Sequence, residues 1–204
     1  MNDTENINLA EAIKRVKRSD SPIVTARNLI SKCRKDLTVE NNKRKFFETA
    51  FNEIKTLPKE ARDEIYNVAS ESAGGPINQF NEYVSYASLA IDVHNAKTAA
   101  FDRPSNVYST EVHNSNNPLS SMFSIVRKNS KITDGQFVSI LEACYPQAVR
   151  GLEEKLRDRV FQMASDRGAS NVEIANMYIE LAELISMVRY GYDDSADDTV
   201  DSRD

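Results

Sequence analysis

Apolar residues recur along most of the chain at intervals of three and four, the spacing of one face of an α-helix. Leu9, Ile13 and Val16 follow Asn8, an N-cap residue type, and predict a first helix. Ser21 and Pro22 read as cap and first position of a second, with the stripe Ile23, Ala26, Leu29, Ile30 and Cys33, ending near Asp36. Thr38 is placed to cap a third, whose stripe is Phe46, Phe47, Ala50, Phe51 and Ile54. Pro58 opens a fourth through Ala61, Ile65 and Val68, and the run from Ser72 through Gly74 and Gly75 to Pro76 breaks it.

Beyond the break, Ile77, Phe80, Val84, Ala87, Ile91 and His94 share one helical side. From Asp102 to Asn117 the periodicity vanishes into an Asn/Ser-rich stretch that reads as a long loop, of the kind that is functional or disordered. Order returns at Pro118 with Leu119, Met122, Phe123 and Val126. Thr133 and Asp134 can cap a helix carrying Phe137, Ile140, Leu141 and Cys144, and Pro146 interrupts or restarts the pattern. Val149, Leu152, Leu156, Val160 and Met163 predict a helix ending near Gly168. Ser170 and Glu173 have the spacing of a capping box before the strongest helix, from Ala175 past Ile185 to a stop at Gly191.

About eight helices result. The short runs Ile23–Val24 and Phe137–Leu141 are the only strand candidates, and helix starts flank both. No repeat or sustained heptad is present. The expected fold is all-α: a compact multi-helix bundle with a flexible N-terminal segment and a disordered acidic C-terminal tail. The expected organisation is a basic N-terminal helical region over 1–72, a central helix over 73–101, a polar flexible loop over 102–117, a C-terminal helical core over 118–192 and the tail over 193–204.

Composition narrows the function classes. The 204 residues are 40% hydrophobic, too apolar for a wholly disordered chain. Two cysteines cannot build a disulfide framework or a Cys-rich zinc site. No stretch has the ~18 apolar residues of a membrane span, and the polar opening MNDTENIN is not that of a signal or transit peptide. The net charge of −5 hides a polarity. Residues 1–62 hold 14 basic and 9 acidic side chains, residues 63–126 hold 2 and 7, residues 127–192 hold 9 of each, and residues 193–204 hold 1 and 6. Such a layout suits either a basic surface for phosphate or pairing of the front of one copy with the acidic parts of another.

No constellation for catalysis stands out. His94 and His113 lie nineteen residues apart, which matches no common local metal spacing. Cys33, between Lys32 and Arg34, and Cys144, before Tyr145 and Pro146, are more in keeping with small buried hydrophobes than with nucleophiles. Gly74-Gly75 lacks the surroundings of a phosphate loop, and Glu153 sits among Lys155, Arg157 and Arg159 as on a self-neutralising helix face. Catalytic residues, metal ligands and cofactors are therefore not expected.

Nucleic acid is the sharper option. Lys14, Arg15, Lys17 and Arg18, then Lys32, Arg34 and Lys35, then Lys43, Arg44 and Lys45 cluster in the basic front, and Arg127 and Lys128 follow the polar stretch. Turned one way, the first three groups would bind a phosphate backbone without sequence preference, with Phe46 and Phe47 available to stack on bases or to fill the core. The short connection Ser19-Asp20-Ser21 is also compatible with a helix-turn-helix.

The layout of basic front, helical body, polar stretch and polar tail resembles that of helical coat and nucleocapsid subunits of RNA viruses and of small helical phage structural proteins. The likeness is one of layout, so no site residue is carried across. It implies a non-enzymatic assembly protein that self-associates and contacts nucleic acid, RNA rather than DNA. No membrane and no small-molecule substrate is expected, and the location would be cytoplasmic or the virion. The alternative is a small regulatory or adaptor protein, a DNA-binding regulator or host-directed inhibitor, acting as monomer or dimer.

Overall fold

A computed structural model describes residues 7–99, 103–129 and 131–191, so the expected flexible N-terminal segment falls largely, and the acidic tail wholly, outside the described residues. Every regular element among the described residues is helical. The chain divides into two compact units, residues 1–91 and 92–204, with the division inside one continuous helix rather than at a loop.

The first unit begins with α1 (Leu9–Lys17), capped by the Asn8 side chain, which accepts the Glu11 N–H. Pro22 opens α2 (Pro22–Ile30), where a missing N–H costs nothing. A 3₁₀ turn over Asp36–Thr38 leads into α3 (Glu40–Ala50). Thr38 does not cap this helix: its hydroxyl donates to the Lys35 carbonyl, and Val39 holds the cap position. A second 3₁₀ turn (Asn52–Thr56) and α4 (Lys59–Glu71) follow. Gly74 and Gly75 both take positive φ, the conformation that ends one helix and aims the next, α5 (Pro76–Asn95). Helices α1 and α2 pack on each other and on α3. The centre of the unit is aromatic. Phe47 meets the Phe80 ring edge-on at 5.1 Å, Tyr83 at 5.4 Å and Tyr66 at 6.3 Å, joining α3, α4 and α5.

The second unit holds α6 (Val107–His113), α7 (Pro118–Lys128), α8 (Asp134–Cys144), the single turn α9 (Pro146–Val149), α10 (Glu154–Ser165) and α11 (Asn171–Tyr190). Helix α6 lies in the stretch expected to be a flexible loop. Asn106 Oδ1 accepts the N–H groups of Tyr108 and Ser109, and Ser109 Oγ accepts the Asn106 N–H, so the polar residues that suggest a loop form a helix cap instead. Buried Val112 anchors the segment. Helix α11 packs on α7, α8, α9 and α10 and brings Tyr178, Leu181 and Ile185 into the core. Beneath this surface lies an ion cluster. The two Glu142 carboxylate oxygens accept from Arg103 Nε at 3.2 Å and Arg157 NH1 at 3.3 Å, and Arg103 NH2 donates to Asp158 at 2.7 Å. Burial pushes the Glu142 carboxyl above its ordinary range, and the two guanidiniums pull it back only in part.

There are eleven α-helices among the described residues where about eight were expected, and α6 and α9 are short elements that periodicity passes over. The all-α class stands.

Candidate nucleic-acid interface

The basic front is built on three short elements of the first unit. Lys14, Arg15, Lys17 and Arg18 occupy the end of α1, where cations suit the negative end of the helix dipole, and all four are exposed. Arg15 is partly spent on Glu11 of the preceding turn, at 3.0 Å. The packing of α1 on α3 brings Lys17 beside Lys45, and the 3₁₀ turn after α3 adds Lys55. These three lysines line one concavity of about 550 Å³. The one carboxylate lining it, Glu48, already accepts from Arg44 Nε at 2.9 Å. Among the described residues no ion pair involves Lys17 or Lys45, and Lys55 Nζ donates only to the Asn52 side chain, at 2.8 Å.

Lys32, Arg34 and Lys35 line a second concavity of about 610 Å³, at the connection between α2 and the first 3₁₀ turn. Among the described residues that line it the one carboxylate is Asp36, whose Oδ2 accepts the Leu9 N–H at 2.7 Å. Arg34 and Lys35 are exposed and Lys32 half-buried. Arg127 and Lys128 belong to the second unit. They are exposed at the end of α7, with the Arg127 guanidinium 5.6 Å from the Phe123 ring centre.

Two predicted contacts face the other way. Lys43 is buried, and its Nζ reaches Glu40 and Gln79, each at 3.0 Å. Positions 43, 46, 47 and 50 share one helical face, so Lys43 enters the core with its aromatic neighbours. Arg44 is committed to Glu48 and to Asp63 of α4, and its guanidinium lies 5.4 Å from the Tyr66 ring centre. Phe46 and Phe47 are fully buried and have no face to offer a base. Of that basic trio only Lys45 projects into solvent. Lys55 escaped sequence reasoning, because only the turn at Phe51 folds it back beside Lys45.

A recognition-helix role for α2 finds little to work with. Ala26, Leu29 and Ile30 are buried, and Arg27 is its single cation. Cys33 is buried, donates its thiol to the Leu29 carbonyl and is raised in pKa by that burial and by Asp36. Burial alone pushes the Cys144 thiol up to about 11. His94 and His113 are both exposed. Among the described residues, no group of three or more His, Cys, Asp or Glu is placed to hold a metal, and no helix is long and apolar enough to cross a membrane. The fold and its charged surface thus define an all-α protein whose first unit concentrates unpaired cations. No protein-family model, curated protein or solved structure matches the chain.

Proposed function

We propose that this protein is a non-enzymatic helical assembly subunit, coat-like or nucleocapsid-like, that contacts nucleic acid through the basic surface of its first unit. The pair of basic concavities carries this conclusion. Lys17, Lys45 and Lys55 in one, with Lys32, Arg34 and Lys35 in the other, face carboxylates that are already bonded to other groups. Cations clustered in this way attract phosphates and release counterions in binding them. Exposed Val24, Val39 and Ile77 in the first unit, with Val107 and Leu119 in the second, are available to contacts between copies. Lysines without an inserted helix suit a single-stranded backbone, and the ligand proposed is RNA rather than DNA on the likeness of layout to RNA-virus subunits.

Fluorescence anisotropy with labelled single-stranded RNA and DNA, between about 50 and about 300 mM salt, tests this. Three phosphate contacts in the Lys17 concavity give a log–log salt slope of about −2 for a single strand, and Lys17→Ala with Lys45→Ala takes away about 1.4 of it. Lys43→Met leaves the slope unchanged, because that ammonium is bonded inside the unit. No binding at low salt sinks the proposal, and tighter binding of DNA than of RNA sinks its choice of ligand. Light scattering on the same samples reads assembly. A monomer that stays monomeric with RNA bound favours the regulatory reading instead.

A further inference from the structure

A cleft of about 660 Å³ opens in the second unit, lined by α6, α8, α9 and the start of α10. It is of the size that holds a small metabolite. Glu142 and Arg157 are its buried part, and Arg103, Arg150, Thr110 and His113 its more accessible part. Its charges do not cancel. Glu142, the one carboxylate among the described residues that line it, bonds Arg103 and Arg157, and Asp158, which does not line it, bonds Arg103 as well. Arg150 is a third guanidinium in the cleft, and among the described residues no carboxylate pairs with it.

The backbone that carries Arg150 is held from several sides. Its N–H donates to the Pro146 carbonyl at 2.8 Å, and its carbonyl accepts from Arg189 NH1 at 2.7 Å. Arg189 NH1 also donates to the Ala148 carbonyl, the Gly151 carbonyl accepts the Ala99 N–H at 2.7 Å, and the Leu152 carbonyl accepts Arg157 Nε at 3.1 Å. Gly151 has φ of +77°, and a Cβ there would sit 3.2 Å from Thr98 Cγ2. The backbone of the turn is thus held by hydrogen bonds from several sides, and Arg150 lines the cavity from it. With the backbone held, only the Arg150 side chain has to be ordered when it closes on an anion. The planar fork matches two oxygens of a phosphate, and the Thr110 hydroxyl and the His113 ring add hydrogen-bonding capacity at the same mouth.

We propose that this cleft binds a small phosphate-bearing molecule, with Arg150 as its charge contact. The site lies in a different unit from the lysines of the basic concavities and uses none of them, so it stands or falls separately from nucleic-acid binding.

Isothermal titration of the full chain at low ionic strength with inorganic phosphate, adenosine monophosphate and acetate tests it. The expected result is one saturable site for phosphate or the nucleotide, weakened about tenfold or more by Arg150→Ala and retained in the Lys17→Ala, Lys45→Ala double variant. A nucleotide that binds more tightly than phosphate assigns the phosphate to a larger molecule, and equal affinities assign it to the free ion. Arg150 is exposed, so the Arg150→Ala variant keeps its unliganded thermal midpoint. Arg150→Lys, which keeps the charge and loses the fork, binds several-fold more weakly than wild type. Absence of saturable binding overturns the proposal, as does acetate binding as well as phosphate, or an Arg150→Ala variant that binds like wild type.

Discussion

Arg44 ties two carboxyl-bearing turns together in the first unit, through Glu48 on its own helix and Asp63 on α4, where Lys59 also reaches at 3.1 Å. The Arg44 hydrogen bond is the largest cause holding the Asp63 carboxyl below its ordinary value, and a bond from Tyr66 does the same for Glu40. A carboxyl lowered on folding contributes stability that is present above its unfolded pKa and is lost as pH falls through the folded value. Arg44→Leu should thus cost at most about 1 kcal/mol at neutral pH, since the pair is a third exposed. It should also flatten the loss of stability between about pH 5 and about pH 2, because Asp63 then titrates nearer its unfolded value. Urea unfolding of both proteins at a series of pH values checks this, and parallel curves would contradict it. Charge alone made Lys43, Arg44 and Lys45 look equivalent. Their helical phase separates them, since Lys43 lies three and four residues before Phe46 and Phe47. That signal was in the sequence. Glu40, three residues before Lys43 on the same helix, was legible in the same way, whereas Gln79 and Asp63 were not, because they arrive from other helices.

Helix α6 shows what decides a short element. Its seven residues carry little apolar surface, and isolated helices of that length are marginal in water. It persists because Asn106 satisfies two N–H groups at its start, because Val112 is buried, and because α7 and α8 pack on it. Asn106→Ala should cost about 1 kcal/mol in chemical unfolding, and Asn106→Asp much less. Equal stability of Asn106→Ala and wild type would show that packing alone holds α6. Polar residues every few positions conceal a helix that rests on its cap, so the periodicity of this stretch could not reveal it. The longer helices were legible because cap and stripe agreed, as at Thr133 before Phe137 and at Ser170 before Ala175. Even there the detail differs: Ser170 Oγ accepts the Glu173 N–H, but the Glu173 carboxylate turns to the Ala169 N–H rather than closing the reciprocal box.

For the whole molecule, the division between units falls between Ile91 and Asp92, inside α5, where no Gly or Pro marks it. Sequence punctuation at Gly74-Gly75 and in the polar stretch suggested other boundaries. A continuous helix serving two cores offers no compositional break, so contacts rather than composition set the division. Charge polarity, by contrast, is legible at this scale without any structure. The first 62 residues carry net positive charge, and residues 193–204 carry six acidic side chains and one basic. By charge alone, an acidic segment of that density is able to compete with phosphates for exposed lysines, of its own or another copy. Removal of residues 193–204 should then raise affinity for single-stranded RNA several-fold at about 50 mM salt. The gain should fade at about 300 mM, where the screening length shrinks below ~10 Å. A gain that persists at high salt would point to steric blocking. No gain at either salt would mean that the acidic segment does not compete for the basic concavities, leaving Lys17, Lys45 and Lys55 open to RNA at all times.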